Sequence, residues 1–264
     1  MTYKFTKLTG VPVEVPGLSF TYGGLNPTST IPGFEILTVQ GRELLSDEID
    51  YSTTAERDGG VITAHSLPVR ILTIQYRLTA TSNEQCRDNF NKLNAFLRQG
   101  GKVDRAIVFS DEPNATFYGR YNTADEAPAD RNTLVSSFTI LCVDPYKYVT
   151  QEIKTGTQKV TMGNTIPYAT KPTKVKITPT GAISKVVVTN TSTGKKIVLN
   201  GNYGANSIIE IKIPENTITV NGQNRMQDLD YIESDFHKFL ISSGNVISVS
   251  PSMAIEVTVR SRWL

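Results

Sequence analysis

The chain has few of the residues that most often build metal and redox sites. Its 264 residues include only two cysteines and two histidines. Cys86 lies in a predicted helix and Cys142 in a predicted buried strand, so we expect both to be small core residues, not a disulfide framework or a metal site. His65 and His237 are far apart in the sequence and in different predicted domains. The sequence therefore predicts no metal site and no cofactor.

Sequence patterns of the common enzyme classes are also missing. No His-x-x-x-His, paired Cys-x-x-Cys, Gly-x-Ser-x-Gly or P-loop pattern occurs, which argues against the common zinc, hydrolase and nucleotide-binding classes. Glycoside hydrolysis needs two carboxylates with no fixed spacing, and the acidic pairs Asp111-Glu112 and Asp125-Glu126 are the candidates. Adjacent acids on turns are usually solvated surface, so we predict no catalytic residues and no enzyme activity.

Long apolar runs and basic stripes are absent as well. No apolar run approaches the roughly 20 residues that cross a bilayer, and the N-terminal residues 1–7 lack the apolar core of a signal peptide. We expect a chain without membrane insertion that is made and folds in the cytoplasm. No stripe of Lys and Arg with interleaved aromatics occurs, which predicts no specific nucleic-acid recognition.

A change in composition divides the chain. Up to Thr150 there are 14 Lys and Arg against 17 Asp and Glu, whereas from Gln151 onward there are 13 against 8, so the net charge changes from −3 to +5. The change follows the stretch 138–148, in which Pro145 cannot donate to a sheet ladder and ends a predicted strand. We predict domains over 1–148 and 149–264, each large enough for its own core.

The first domain is predicted to be mostly β with one helix packed on it. Residues 134–143 are apolar on both faces, which predicts a strand buried on both sides. Ser82 to Gln85 has the spacing of a capping box, and apolar residues at helical spacing follow, so we predict a helix over 83–99. The segment 69–80 alternates as a half-buried strand. Its faces are Leu72, Ile74, Tyr76, Leu78 and Ala80 on one side and Arg70, Thr73, Gln75, Arg77 and Thr79 on the other.

One stretch of this domain, from Ser46 to Ser66, has little that could be buried. Two β-forming segments surround the turn Asp58-Gly59-Gly60, which predicts a projecting hairpin. A lone two-stranded arm is marginally stable, so it needs another surface to lie on.

The second domain is predicted to be an antiparallel sandwich of the jelly-roll kind. Short alternating segments are separated by turn signals such as Asn200-Gly201 and Asn221-Gly222, and no long helical segment occurs. The predicted strands are 174–178, 185–189, 196–199, 208–213, 217–221, 239–241, 246–249 and 254–260.

In its order of motifs, the chain resembles the distal tail proteins of siphophages, the bacteriophages with long non-contractile tails. The likeness covers nearly the full length. The stretches that carry it are Asp58-Gly59 followed by Leu67-Pro68-Val69-Arg70; the helix over 83–99; residues 109–114; residues 138–148; and a C-terminal stretch from Asn221-Gly222 through Asp235-Phe236 and Gly244-Asn245 to Arg260-Ser261-Arg262-Trp263-Leu264.

The resemblance implies a structural protein at the distal end of the phage tail, assembled in the host cytoplasm. Six copies of the first domain would form a ring that lets DNA pass, between the tail tube protein and the baseplate hub or tail-associated protein. The second domain would be a galectin-like or carbohydrate-module-like sandwich, which contacts receptor-binding proteins or cell-wall glycan. The ring-interface residues are expected in the arm: Thr53, Glu56, Arg57, Asp58, Gly59, Gly60 and Ile62.

The alternative function is that of a carbohydrate-binding module that attaches the particle to the host cell wall. Sugar sites usually stack a ring on an exposed aromatic. The candidate glycan contacts, chosen because they lie outside the predicted strands, are Tyr168, Tyr203, Tyr231 and Phe236. Trp263 follows a strand, and we expect it in the core or in an interface.

Overall fold

The computed structural model describes residues 4–6, 12–14, 18–99, 101–127 and 131–264, which fall into two units. The first unit ends at Lys147, and the second spans Tyr148–Trp263. Each unit has an apolar core of its own. The mostly β fold class predicted from the sequence is confirmed. Among the described helices, none has the length and apolarity to cross a bilayer.

The first unit is built on one six-stranded antiparallel sheet. Its elements are β1 Lys4–Thr6, β2 Pro12–Glu14, β3 Phe20–Tyr22, α1 Pro27–Thr30, β4 Phe34–Gln40, β5 Glu48–Ser52, β6 Val61–Ser66, β7 Arg70–Thr79, α2 Asn83–Arg98, β8 Arg105–Phe109, β9 Phe117–Ala124 and β10 Thr133–Cys142. The six strands lie in the order β3-β8-β9-β10-β7-β4, while β1 pairs only with β2 and β5 only with β6 in the described chain.

The predicted helix is confirmed as α2. The Ser82 hydroxyl accepts a hydrogen bond from the Gln85 amide at 3.1 Å, and the Gln85 side chain accepts one from the Thr81 amide at 2.6 Å. The first bond satisfies an amide that the start of the helix leaves unpaired, and the second fixes the residue before the cap. The buried side of α2, which includes Leu93 and Phe96, packs into the core of the first unit.

The prediction that β10 is buried on both sides is wrong. Phe138 and Ile140 face the core, but Val135 on the opposite face is 47% exposed, and Val143 just after the strand is 56% exposed. The core of this unit lies on one face of the sheet. β-Branched residues are favoured in strands even where they remain exposed, so an apolar pattern on both faces does not by itself show burial.

The second unit contains two antiparallel sheets. Its strands are β11 Lys147–Thr157, β12 Lys159–Thr161, β13 Lys174–Thr178, β14 Ile183–Asn190, β15 Lys196–Tyr203, β16 Ile209–Lys212, β17 Thr217–Val220, β18 Gln223–Asn224, β19 Val246–Ser250 and β20 Ala254–Trp263, with 3-10 turns at Met226–Asp228 and Phe236–Lys238. One sheet has the order β11-β20-β13-β16-β17-β18 and the other β12-β19-β14-β15. Apolar residues from both sheets form one core, as in a sandwich.

Four segments of this unit differ from the prediction, and two of them are the short strands β12 and β18, which no predicted strand covers. Residues 239–241 do not form a strand, and Ile241 makes only an isolated bridge with Thr170. The long strand β11 has no counterpart in the predicted strands. Its sequence, Lys-Tyr-Val-Thr-Gln-Glu-Ile-Lys-Thr-Gly-Thr, is polar because β11 lies at the edge of its sheet.

Candidate functional site

The predicted arm is confirmed as a hairpin of β5 and β6. The two strands pair antiparallel from Glu48 opposite Ser66 to Ser52 opposite Val61, with a bulge after Asp50. Every residue of both strands is exposed. Among the described residues, neither strand pairs with any other strand, so the hairpin forms a two-stranded sheet by itself.

The register gives the hairpin two unlike faces. Residues directly opposite each other share a face, and the face alternates along a strand. One face therefore carries Ile49, Tyr51, Ile62 and His65, and the other carries Glu48, Asp50, Ser52, Val61, Ala64 and Ser66. Tyr51 is 69% exposed and Ile62 is 64% exposed. We call the first set the apolar face of the hairpin; exposed apolar surface of this kind marks interaction sites.

The predicted interface residues lie at and beside the tip of the hairpin. Thr53, Glu56, Arg57, Asp58, Gly59 and Gly60 are in the connecting turn, and Ile62 is in β6. The sequence reasoning missed Ile49 and Tyr51, although the alternation Glu-Ile-Asp-Tyr-Ser in β5 carries the signal. It also missed Leu44, which is 98% exposed near the start of the arm.

A buried arginine holds the segment from which the arm departs. Arg70, at the start of β7, is fully buried and donates hydrogen bonds to the carbonyl oxygens of Gly41 and Pro145, both at 2.7 Å. Its guanidinium lies over the Phe117 ring, 5.7 Å from the centroid. Burial lowers the pKa of Arg70. This arginine ties together the start of the arm and the end of the first unit, and the prediction that placed Arg70 on the polar face of its strand is wrong.

An ion pair of Arg42 also holds this segment. Arg42 donates to both carboxylate oxygens of Asp111, at 2.7 and 2.9 Å, and lies 4.6 Å from the Phe109 centroid. The hydrogen bonds from Arg42 lower the pKa of Asp111. Glu112 in turn accepts from Lys147 at 2.6 Å. Asp111-Glu112, one of the two acidic pairs considered for glycoside hydrolysis, is thus engaged in ion pairs that hold the fold.

In the second unit, two of the four candidate glycan contacts are buried, which corrects the prediction for them. Tyr203 is 1% exposed and Phe236 is 4% exposed, so neither offers a ring to solvent. β15 continues to Tyr203, whose hydroxyl donates to Asp228 at 3.0 Å. Burial is the main cause that raises the pKa of Tyr203, and the neighbouring carboxylate of Asp228 raises it further. Tyr168 and Tyr231 are exposed, Tyr231 by 68%.

Trp263 also departs from the expectation of a core position. Its side chain is 40% exposed at the end of β20. Val259 and Ser261, which share a strand face with Trp263, are buried, so the burial of that face ends before Trp263. Within this unit Trp263 therefore lies at the surface, and the predicted core position is wrong. The other predicted position, in an interface, stays a prediction.

Comparisons with known proteins relate the chain to phage tails. Residues 167–263 match the family model described as siphovirus-type tail component, C-terminal domain. The distal tail protein of Bacillus phage SPP1 is 34% identical over 210 residues, which cover 77% of this chain and 81% of that protein.

One solved structure has the same fold. The crystal structure of the SPP1 Dit protein, described as a paradigm of the hub adsorption apparatus in phages that infect Gram-positive bacteria, superposes with a TM-score of 0.81 at 23% identity, covering 94% of this chain and 100% of that one. The baseplate of phage p2, in its activated conformation with Sr, matches at 12% identity with a TM-score of 0.46, over 92% and 97% of the two chains. The second likeness is too low to carry an argument.

Proposed function

Because the chain belongs to the siphophage distal tail protein family, it is a structural component of the phage tail tip, and we propose that six copies of it form a ring there. In this proposal the ring joins the tail tube protein above to the baseplate hub or tail-associated protein below. The description of the SPP1 Dit protein as a hub supports this position.

The observation that carries the ring proposal is the apolar face of the hairpin. Ile49, Tyr51 and Ile62 are exposed on an arm whose strands pair with no further strand in the described part of the chain. In a ring of identical chains, the apolar face of one chain contacts the next copy. Such head-to-tail contacts close into a ring when the rotation between neighbouring copies is a whole fraction of a full turn. Among the described strands, β3 and β4 are the edges of the sheet in the first unit, and identical neighbours can cover such edges.

Passage of DNA through the ring is supported by the charge of the first domain. The residues up to Thr150 have a net charge of −3. On the outer face of the sheet, Arg77 is paired with Glu35, and Arg120 is paired with Asp104 at 2.6 Å. Paired arginines and a net negative charge give a wall that repels phosphate, and DNA moves past such a wall without binding.

A second candidate function, host attachment through the second unit, is favoured by its exposed tyrosines. Tyr231 projects from a turn in which the Asp230 carboxylate accepts hydrogen bonds from the amides of Ile232 and Glu233, at 3.1 and 3.0 Å. These hydrogen bonds fix the turn that carries Tyr231. The Tyr231 side chain is therefore a preorganised contact for a cell-wall glycan or for a receptor-binding protein.

Two neighbouring substitutions test the ring proposal. Ile62→Asp places a charge on the apolar face, while Val61→Asp places the same charge on the opposite face at a position of nearly equal exposure, 64% against 61%. We expect wild type and Val61→Asp to have the mass of six chains by light scattering, with a central hole in negative stain. Ile62→Asp should have the mass of one chain, because a buried charge opposes the contact.

The control for folding is the circular dichroism spectrum, which both variants should share with wild type, since both positions are exposed. A hexamer that survives Ile62→Asp would contradict the role of the apolar face. A wild-type chain that stays monomeric at high concentration, and is missing from the ends of purified tails, would contradict the ring itself.

A further inference from the structure

One face of the six-stranded sheet in the second unit carries an open depression of about 320 Å³. It lies over four neighbouring strands, β11, β20, β13 and β16. Its lining includes Gln151, Ile153, Lys174, Glu210, Lys212 and Thr258. Lys174 is directly opposite Thr258 in the antiparallel register, so residues distant in sequence converge here. The volume is at the lower end of the range for small-molecule pockets.

The hydroxyl of Thr258 has no hydrogen-bond partner among the described residues. Val257 and Val259, on either side, belong to the core, so Thr258 faces the depression side of the sheet, where it is nevertheless only 5% exposed. A buried hydroxyl without a partner is unfavourable. A ligand hydroxyl that enters the depression would supply the missing partner.

The ammonium group of Lys174 is held loosely between two carboxylates. It lies 3.6 Å from Glu210 and 3.7 Å from Glu256, beyond the range of a direct hydrogen bond. Elsewhere in this unit, Lys195 reaches Asp235 at 2.8 Å. Lys174 and Glu210 therefore retain capacity to donate to and accept from a third group placed between them.

The charges of the depression balance. Lys174 and Lys212 face Glu210 and Glu215, and Lys212 is 3.5 Å from Glu215. The glutamates would repel a polyanion or a phosphate, and the lysines would repel a cation. Alternating donors and acceptors without a net charge suit a neutral ligand whose hydroxyls both donate and accept.

Ile153 supplies the apolar part of the lining. Its side chain, on the edge strand β11, is 58% exposed. We propose that the depression binds a neutral saccharide, whose hydroxyls contact Thr258, Lys174 and Glu210 while a C–H face of the sugar ring packs on Ile153. This proposal rests on the sugar-binding function proposed for the second unit, but every residue involved lies within that unit, so it is independent of ring formation.

The test uses the full chain on an array of neutral oligosaccharides that contain glucose, galactose, N-acetylglucosamine and rhamnose, followed by titration with the sugar that gives the strongest signal. Thr258→Val removes only the hydroxyl, and Lys174→Met removes only the ammonium. Each should weaken binding about fivefold to tenfold, the effect of one lost hydrogen bond. Lys185→Met, in the other sheet of this unit, should bind like wild type.

The outcomes separate the location from the function. An array without any wild-type signal overturns both the depression as a sugar site and the sugar-binding function. Binding that survives Thr258→Val and Lys174→Met but is lost in Tyr231→Ala overturns the location alone. Competition by inorganic phosphate overturns the neutral class of ligand. The thermal midpoint of Thr258→Val should not fall, because the substitution removes an unpartnered polar group.

Discussion

At the scale of single residues, position in a strand decided burial more reliably than residue type did. Arg70 is two residues before Leu72 and therefore shares its core-facing side, although its charge suggested the polar face. Tyr203 was expected to be exposed because it lay outside the predicted strand, but β15 extends to it. The hydrogen bonds that these side chains make, to Pro145 and Asp228, join residues far apart in sequence. Such long-range partners carry no local sequence signal.

Replacing Arg70 by Met should destabilise the first unit by about 1–3 kcal/mol, because the carbonyl groups of Gly41 and Pro145 lose their charged donor. Arg70→Lys should lose most of the same stability, since one ammonium cannot reproduce the guanidinium geometry. Urea unfolding measures the change, and hydrogen exchange of residues 41–48 reports the loosened start of the arm.

The matched control for Arg70 is Arg77→Met on the same strand. Arg77 is partly exposed and forms a surface ion pair with Glu35, so its loss should cost less than about 1 kcal/mol. Equal destabilisation by the two substitutions would show that Arg70 does not hold the segment from which the arm departs.

At the scale of elements, local sequence signals predicted those elements that have a clear helical or alternating pattern. The capping box and the apolar spacing located α2, and alternation located β13 and β14 closely. Two other segments were harder to predict. β11 is polar because it lies at the edge of its sheet, and Phe239 and Ile241 are apolar because they are buried, although they form no strand. Alternation of apolar and polar residues shows which face of a strand is buried. It does not identify a strand when both faces are buried or both are exposed.

The junction between β4 and the arm depends on a glycine. Gly41 has φ of +88°, and a Cβ there would lie 2.0 Å from the Ile71 carbonyl oxygen. Gly59 in the turn of the hairpin has a similar φ of +83°, but nothing lies near its Cβ position. Gly59→Ala should therefore incur only the backbone strain of about 1–2 kcal/mol, confined to the turn.

Gly41→Ala should carry the same strain and, in addition, push β4 away from β7, with a further cost of about 1–3 kcal/mol. Chemical unfolding of the two variants measures the difference, and hydrogen exchange in β4 locates it. If both alanine variants unfolded at the same denaturant concentration, close approach of the backbones at Gly41 would not be what sets the start of the arm.

At the scale of the whole molecule, the composition change near Thr150 and the division at Lys147 lie within a few residues of each other. We propose that the two units are separate folding domains, because each has a core composed of its own residues. The ring contact belongs to the first domain alone in this proposal. Self-association stabilises only the domain that takes part in it, by mass action.

Scanning calorimetry of the full chain should then resolve two transitions. Ile74→Ala, fully buried in the first unit, should lower one of them, and Ile211→Ala, fully buried in the second, should lower the other, each by the equivalent of about 2–5 kcal/mol. Only the transition that responds to Ile74→Ala should rise with protein concentration, since oligomers dissociate on dilution. If both substitutions lowered the same transition, the two units would be one cooperative domain; if neither transition depended on concentration, the first unit would not be the one that associates.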